Sequence, residues 1–155
     1  MAPVAQAGKK IWQAAGYAVG ATTPDAHCLA NLPAGVTAAR AFVSSATQPA
    51  SAALSPTAVY VRPDGTRVGT GMQLALGGAL DSGIWQLANG TYSAGVVWTG
   101  SPQPGMAGTA DTTCGGWTGQ TGMGRTASGS ADETSWWNFG SSFCNEPVAL
   151  YCVEP

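Results

Sequence analysis

Cys144-Asn145-Glu146-Pro147-Val148-Ala149-Leu150-Tyr151-Cys152 is the stretch that decides the reading of this chain. It is a C-x7-C pair in which Val148 to Val153 reads as an apolar closing strand that carries the last cysteine. Working outward, the remaining cysteines stand at positions 28 and 114, so there are four in all. None forms C-x-x-C, and His27 is the one histidine, so a Cys/His metal site has few ligands to draw on. An even count in a small glycine-rich domain fits two disulfides in an exported protein, with three pairings open. The alternative is four buried thiols in a cytosolic protein.

Composition narrows the class. At 155 residues the default is one domain, long enough to bury a core without a metal. Charged residues make only 9% of the chain, against a typical ~25%. Glycine (22) and proline (10) together make about a fifth, which points to a loop-rich, mostly β architecture. A hydrophobic content of 45% excludes a disordered chain. No apolar run reaches the ~18 residues that a membrane span needs. A net charge of −2 and a pI near 5.0 argue against nucleic acid or heparin as partner. Residues 1–8 are expected to be a flexible segment, and residues 9–155 a single domain. The first eight residues lack the apolar centre of a signal peptide, although Ala5-Gln6-Ala7 has a small-x-small pattern.

Along the chain, Lys9 to Val19 reads as a first strand that turns at Gly20. Thr23 caps a short helix with Pro24 at its first position, running through Cys28 towards Asn31. Ala41-Phe42-Val43 is a strand, and Ala46 to Leu54 is a second short helix with Pro49 in its first turn. Val59–Val61 and Thr66–Val68 flank the turn Pro63-Asp64-Gly65. Ile84–Leu87 and Thr91–Ser93 flank Asn89-Gly90, a strong hairpin signal. Val96–Trp98 is a further strand. Gly100 to Ser135 is dominated by Gly, Thr and Ser and reads as a long loop region.

Several segments in order resemble a known family. The terminal C-x7-C is similar to that of C-type-lectin-like domains. Arg40-Ala41-Phe42-Val43-Ser44-Ser45, and Trp98-Thr99-Gly100 followed by Cys114-Gly115-Gly116-Trp117, resemble endostatin and bacterial endostatin-like surface proteins. The match spans roughly residues 25–153. It implies an α+β C-type-lectin-like fold: twisted antiparallel sheets, two short helices and a long glycine-rich loop region. It also implies the pairs Cys28–Cys152 and Cys114–Cys144, the first tying helix to last strand and the second closing the loop region. The chain ends would lie side by side, with the loops projecting from the opposite end.

Catalysis is not expected. His27 sits beside Cys28 in a short helix, where packing or a surface role suits it better than proton transfer. Asp132-Glu133 is the one adjacent acidic pair of the loop region, and sequence neighbours rarely face one another. No phosphate-binding loop occurs, and Gly122-Met123-Gly124 lacks the strand-to-helix context. Calcium lectins of this fold hold Ca²⁺ through Glu-Pro-Asn or Gln-Pro-Asp and Trp-Asn-Asp, because the ion takes six to eight oxygens. Here Trp137-Asn138-Phe139 puts Phe139 where the ligating aspartate belongs, and Glu146-Pro147 falls after Cys144. The usual calcium motif is therefore absent, though a differently built site stays open, and no cofactor is expected. Endostatin's histidine zinc site and arginine-rich heparin face are absent too.

The six tryptophans are the remaining signal. Trp12, Trp85, Trp98 and Trp117 read as core. Trp136-Trp137 is different, because neighbours in an extended chain point to opposite faces, so one could pack while the other faces a ligand. The alternative is that both pack under the loop. The expected site is thus Trp136 or Trp137 as anchor, with Arg125, Asp132, Glu133 and Asn138 as polar contacts. The expected function is a non-enzymatic extracellular or cell-surface recognition and adhesion module, binding a glycan or surface protein without membrane insertion. The second expectation is a capping or oligomerising head, a homotrimer at the end of a fibrous chain.

Overall fold

A computed structural model describes residues 7–155. Of the segment expected to be flexible, residues 1–6 lie outside the described residues. The fold is mixed α+β, mostly sheet that curls into a half-barrel, with three short helices and two disulfides. The strands are β1 (Lys9–Tyr17), β2 (Arg40–Ala41), β3 (Val59–Val61), β4 (Arg67–Thr70), β5 (Val96–Trp98), β6 (Met123–Ser128), β7 (Ser141–Phe143) and β8 (Val148–Val153). The helices are α1 (Pro24–Leu29), α2 (Gly71–Leu76) and α3 (Cys114–Trp117).

The closing strand is the hub. The sheet order is β4-β3-β1-β8-β5-β6-β7, with β2 also paired to β8. Antiparallel β1 lies along one side of β8, with Trp12 opposite Cys152. The other side is shared between antiparallel β2 and parallel β5. The expectation of purely antiparallel sheets is corrected, since the β1–β3 and β5–β8 pairings are parallel. All six residues of β8 are buried, and alternation sends them to two cores. Ala149, Tyr151 and Val153 join Ile11, Phe42, Tyr60, Leu74 and Ile84. Leu150 and Cys152 join Trp12, Tyr17, Trp98 and Trp117 on the other face. A strand covered on both faces reads as an unbroken apolar run, which is why it was legible.

Both expected disulfides form, Cys28–Cys152 and Cys114–Cys144. In the chain-entropy picture the first, across 124 residues, stabilises by about 5 kcal/mol and the second, across 30, by about 3.5 kcal/mol. Helix α1 is built as expected: the Thr23 hydroxyl accepts the Ala26 N–H at 3.2 Å, and Asp25 accepts the Ala41 N–H at 2.8 Å, fastening the helix to β2.

The helix count is corrected. Ala46–Leu54 contributes only a 3-10 turn, Ala50–Ala53, with Pro49 as its cap. Helix α2 was missed, although Thr70 and Gln73 form a reciprocal capping box at its start. The loop region also holds more structure than expected, including strand β6 and helix α3. In α3, Cys114, Gly115, Gly116 and Trp117 have φ of 52°, 65°, 71° and 66°, so the chain makes one turn in the left-handed region. For the two non-glycine residues this costs about 1–2 kcal/mol each. The disulfide at Cys114 and the Trp117 indole N–H donating to the Ser44 carbonyl at 2.9 Å hold the turn in place.

Candidate functional site

The expected outward-facing indole is corrected first. Trp136 is 0% and Trp137 1% exposed, and both belong to one core. The reason is local. Thr134–Trp136 is a 3-10 turn rather than extended chain, so neighbouring side chains do not point to opposite faces. Both indoles pack on Phe42 and Tyr151, with ring centroids 4.9 Å apart for Phe42–Trp137 and 6.2 Å for Trp136–Tyr151. The Trp136 indole N–H donates to the Gly78 carbonyl at 2.7 Å, and the Tyr151 hydroxyl donates to the Trp136 carbonyl at 2.8 Å.

Among the polar residues expected with them, Arg125 and Asn138 come together: an Arg125 Nη2 N–H donates to Asn138 Oδ1 at 2.9 Å. Asp132 and Glu133 are exposed and form no ion pair with Arg125. Asp132 contributes its backbone carbonyl, which accepts the Leu80 N–H at 2.7 Å and ties the loop down.

Arg125 lies on β6, where it faces Ser141 of β7, two residues along from the facing pair Met123–Phe143. Facing and alternate residues share one side of a sheet, so Met123, Arg125, Ser141 and Phe143 lie on one face. Met123 is 44% and Phe143 56% exposed. Phe139, which donates its N–H to the Thr126 carbonyl beside them, is 60% exposed. Strand β7 ends the sheet, so among the described residues its outer edge is unpaired. Small residues position this face from beneath. A Cβ on Gly124 would come 2.8 Å from both the Cys114 sulfur and the Trp98 ring, so only glycine lets β6 lie this close to the core. Exposed Phe and Met beside Arg are the signal of this face in the sequence, and Phe139 belongs to it rather than marking only a missing calcium ligand.

Asn138 Oδ1 already accepts from a guanidinium, and among the described residues no three His, Cys, Asp or Glu groups converge. His27 Nε2 lies 2.8 Å from the Ala15 carbonyl and its ring packs against Tyr17. All four cysteine sulfurs are in disulfides.

Trp85 is also corrected: it belongs to neither core and remains partly exposed, packed against half-exposed Tyr92. Compared with known proteins, the chain matches no family model and no curated protein.

Proposed function

We propose that this chain is a non-enzymatic recognition module of the C-type-lectin-like, endostatin-like kind, working outside the cell or at its surface. It engages a protein or glycan ligand through the β6–β7 face, without calcium. The observation that carries this reading is the exposed set Phe139, Phe143 and Met123 around Arg125, a cation whose partner is the neutral Asn138. Aromatic residues, Met and Arg are the types enriched at protein interfaces, so a protein ligand is the favoured one. The two disulfides suit an oxidising compartment, and no helix among the described residues is long and apolar enough to cross a membrane.

The test is a panel of extracellular matrix proteins and a glycan array, probed with and without a calcium chelator. Binding should survive chelation and fall at least tenfold in the double variant Phe139→Ser/Phe143→Ser, with Arg125→Ala weakening it further. Binding that is unchanged in these variants contradicts the assignment.

A second reading, a head that assembles with copies of itself, draws on a different patch. Met72 (59% exposed) and Leu76 (74%) stand four residues apart on α2, hence on one side of it. Light scattering separates the two, since a stable trimer dispersed by Leu76→Lys supports the head.

A further inference from the structure

Of the six indoles, five are buried. Trp12, Trp117 and Trp136 donate their N–H to carbonyls, while Trp98 and Trp137 have theirs sealed inside. Trp85 alone carries an indole N–H that is neither bonded within the described residues nor enclosed. Its ring packs at 4.7 Å, tilted 42°, against Tyr92, which is 49% exposed. The pair is held from below. The Arg62 guanidinium, on a residue only 9% exposed, lies 5.9 Å from the Trp85 ring and 5.7 Å from the Tyr92 ring. Asp64 receives two N–H donors from Arg62, the Thr66 N–H, and the Tyr92 hydroxyl at 2.8 Å. The strand connection is equally fixed. Gly90, at φ 90°, turns the hairpin, and the Gln86 carboxamide bridges the Asp64 N–H and the Gly90 carbonyl. Two large rings are thus locked at the surface with little freedom left to lose on binding.

The polar inventory says what such a shelf accepts. Arg62 is neutralised by Asp64, and its other donors go to the Gly83 carbonyl and Thr66, so no anion site remains. Asp64 is saturated by four donors, leaving no carboxylate for a metal ion, an ammonium or a sugar hydroxyl. A cation over the rings would meet the guanidinium already beneath them. What is left is two apolar ring faces and one free donor, the Trp85 N–H. The complementary ligand is neutral, has compact apolar rings, offers carbonyl acceptors and brings few donors of its own. Tertiary amides of proline meet all four conditions, and an extended proline-rich chain is already ordered before it binds.

We propose that the Trp85–Tyr92 shelf is a second binding site, separate from the β6–β7 face, which takes a proline-rich, polyproline-II segment of a partner protein. A saccharide would also stack on the rings, but it needs acceptors for its hydroxyls that the shelf has already committed.

The test is titration of the intact, oxidised domain with an end-capped decaproline peptide, followed through the six indole N–H resonances, with Trp85→Phe identifying the Trp85 signal. The Trp85 resonance should move saturably while the five buried ones stay. Tyr92→Ala should weaken binding at least tenfold, and Tyr92→Phe, which keeps the ring but frees it from Asp64, several-fold. The titration itself is read on the wild-type domain and Trp85→Phe serves only to assign one resonance, so a variant that binds poorly because it misfolds cannot mask the answer. An unmoved Trp85 signal overturns the proposal, as does a shift produced by cello- or xylo-oligosaccharides and not by the peptide.

Discussion

Trp137 has the opposite role from the one its neighbourhood in sequence suggests, and its energetics follow from where it sits. With 1% of its surface exposed and its ring against Phe42 and Tyr151, truncation removes a large part of one core. Trp137→Ala should cost about 3–5 kcal/mol in urea denaturation; a cost under about 1 kcal/mol would mean that the indole is not packed as described. Asp64 sets a pH dependence at the same scale. Burial alone would raise its pKa, but hydrogen bonds from Arg62, Thr66 and Tyr92 outweigh that and hold it well below the ordinary carboxylate value. A carboxyl depressed in the folded state stabilises fully above its unfolded pKa of about 4, and this contribution is lost as pH falls through the folded value. Asp64→Asn should therefore be less stable than the parent at neutral pH, with the difference narrowing as the pH drops below about 4. A difference that widens on acidification would show the sign to be wrong.

Among the elements, the left-handed turn of α3 makes the sharpest prediction. An added Cβ on Gly116 would meet nothing within 4 Å, so Gly116→Ala isolates the conformational cost of φ 71°. That cost is about 1–2 kcal/mol by urea denaturation, and a neutral or stabilising result would place the turn elsewhere in φ. What sequence revealed at this scale follows physical lines. Helix α1 was legible because Thr23-Pro24 is a local start signal, and the hairpin at Asn89-Gly90 because its turn chemistry is local too. Strand β6 was hidden, since its buried positions are Gly124, Thr126 and Ala127, small residues that give no apolar alternation, with Gly124 packed directly against the Trp98 ring. Helix α2 did carry a signal in Thr70-x-x-Gln73, overlooked beside the hydrophobic patterns. Of the two alternatives open for Trp136–Trp137, both pack inside, because a 3-10 turn set by tertiary packing on Phe42 and Tyr151 takes the place of extended chain. For the site, the residue types of Arg125 and Asn138 were legible; their flanking Phe139, Phe143 and Met123 were not, because exposure depends on sheet order.

For the whole molecule, two disulfides and the doubly covered strand β8 make a frame with β6 and β7 at one end of the sheet, where Met123 and Phe143 are exposed on the face proposed to bind a ligand. The frame and the face make separate demands: substitutions at Phe139 and Phe143 should leave the urea midpoint near that of the parent, as exposed positions do. The most direct measurement is amide hydrogen exchange on the oxidised domain, free and bound to the matrix protein or glycan that the panel identifies. The account predicts new protection confined to residues 123–128 and 138–143, with α2 unchanged. Protection that falls instead on residues 71–76, with 123–143 exchanging as in the free domain, would contradict it.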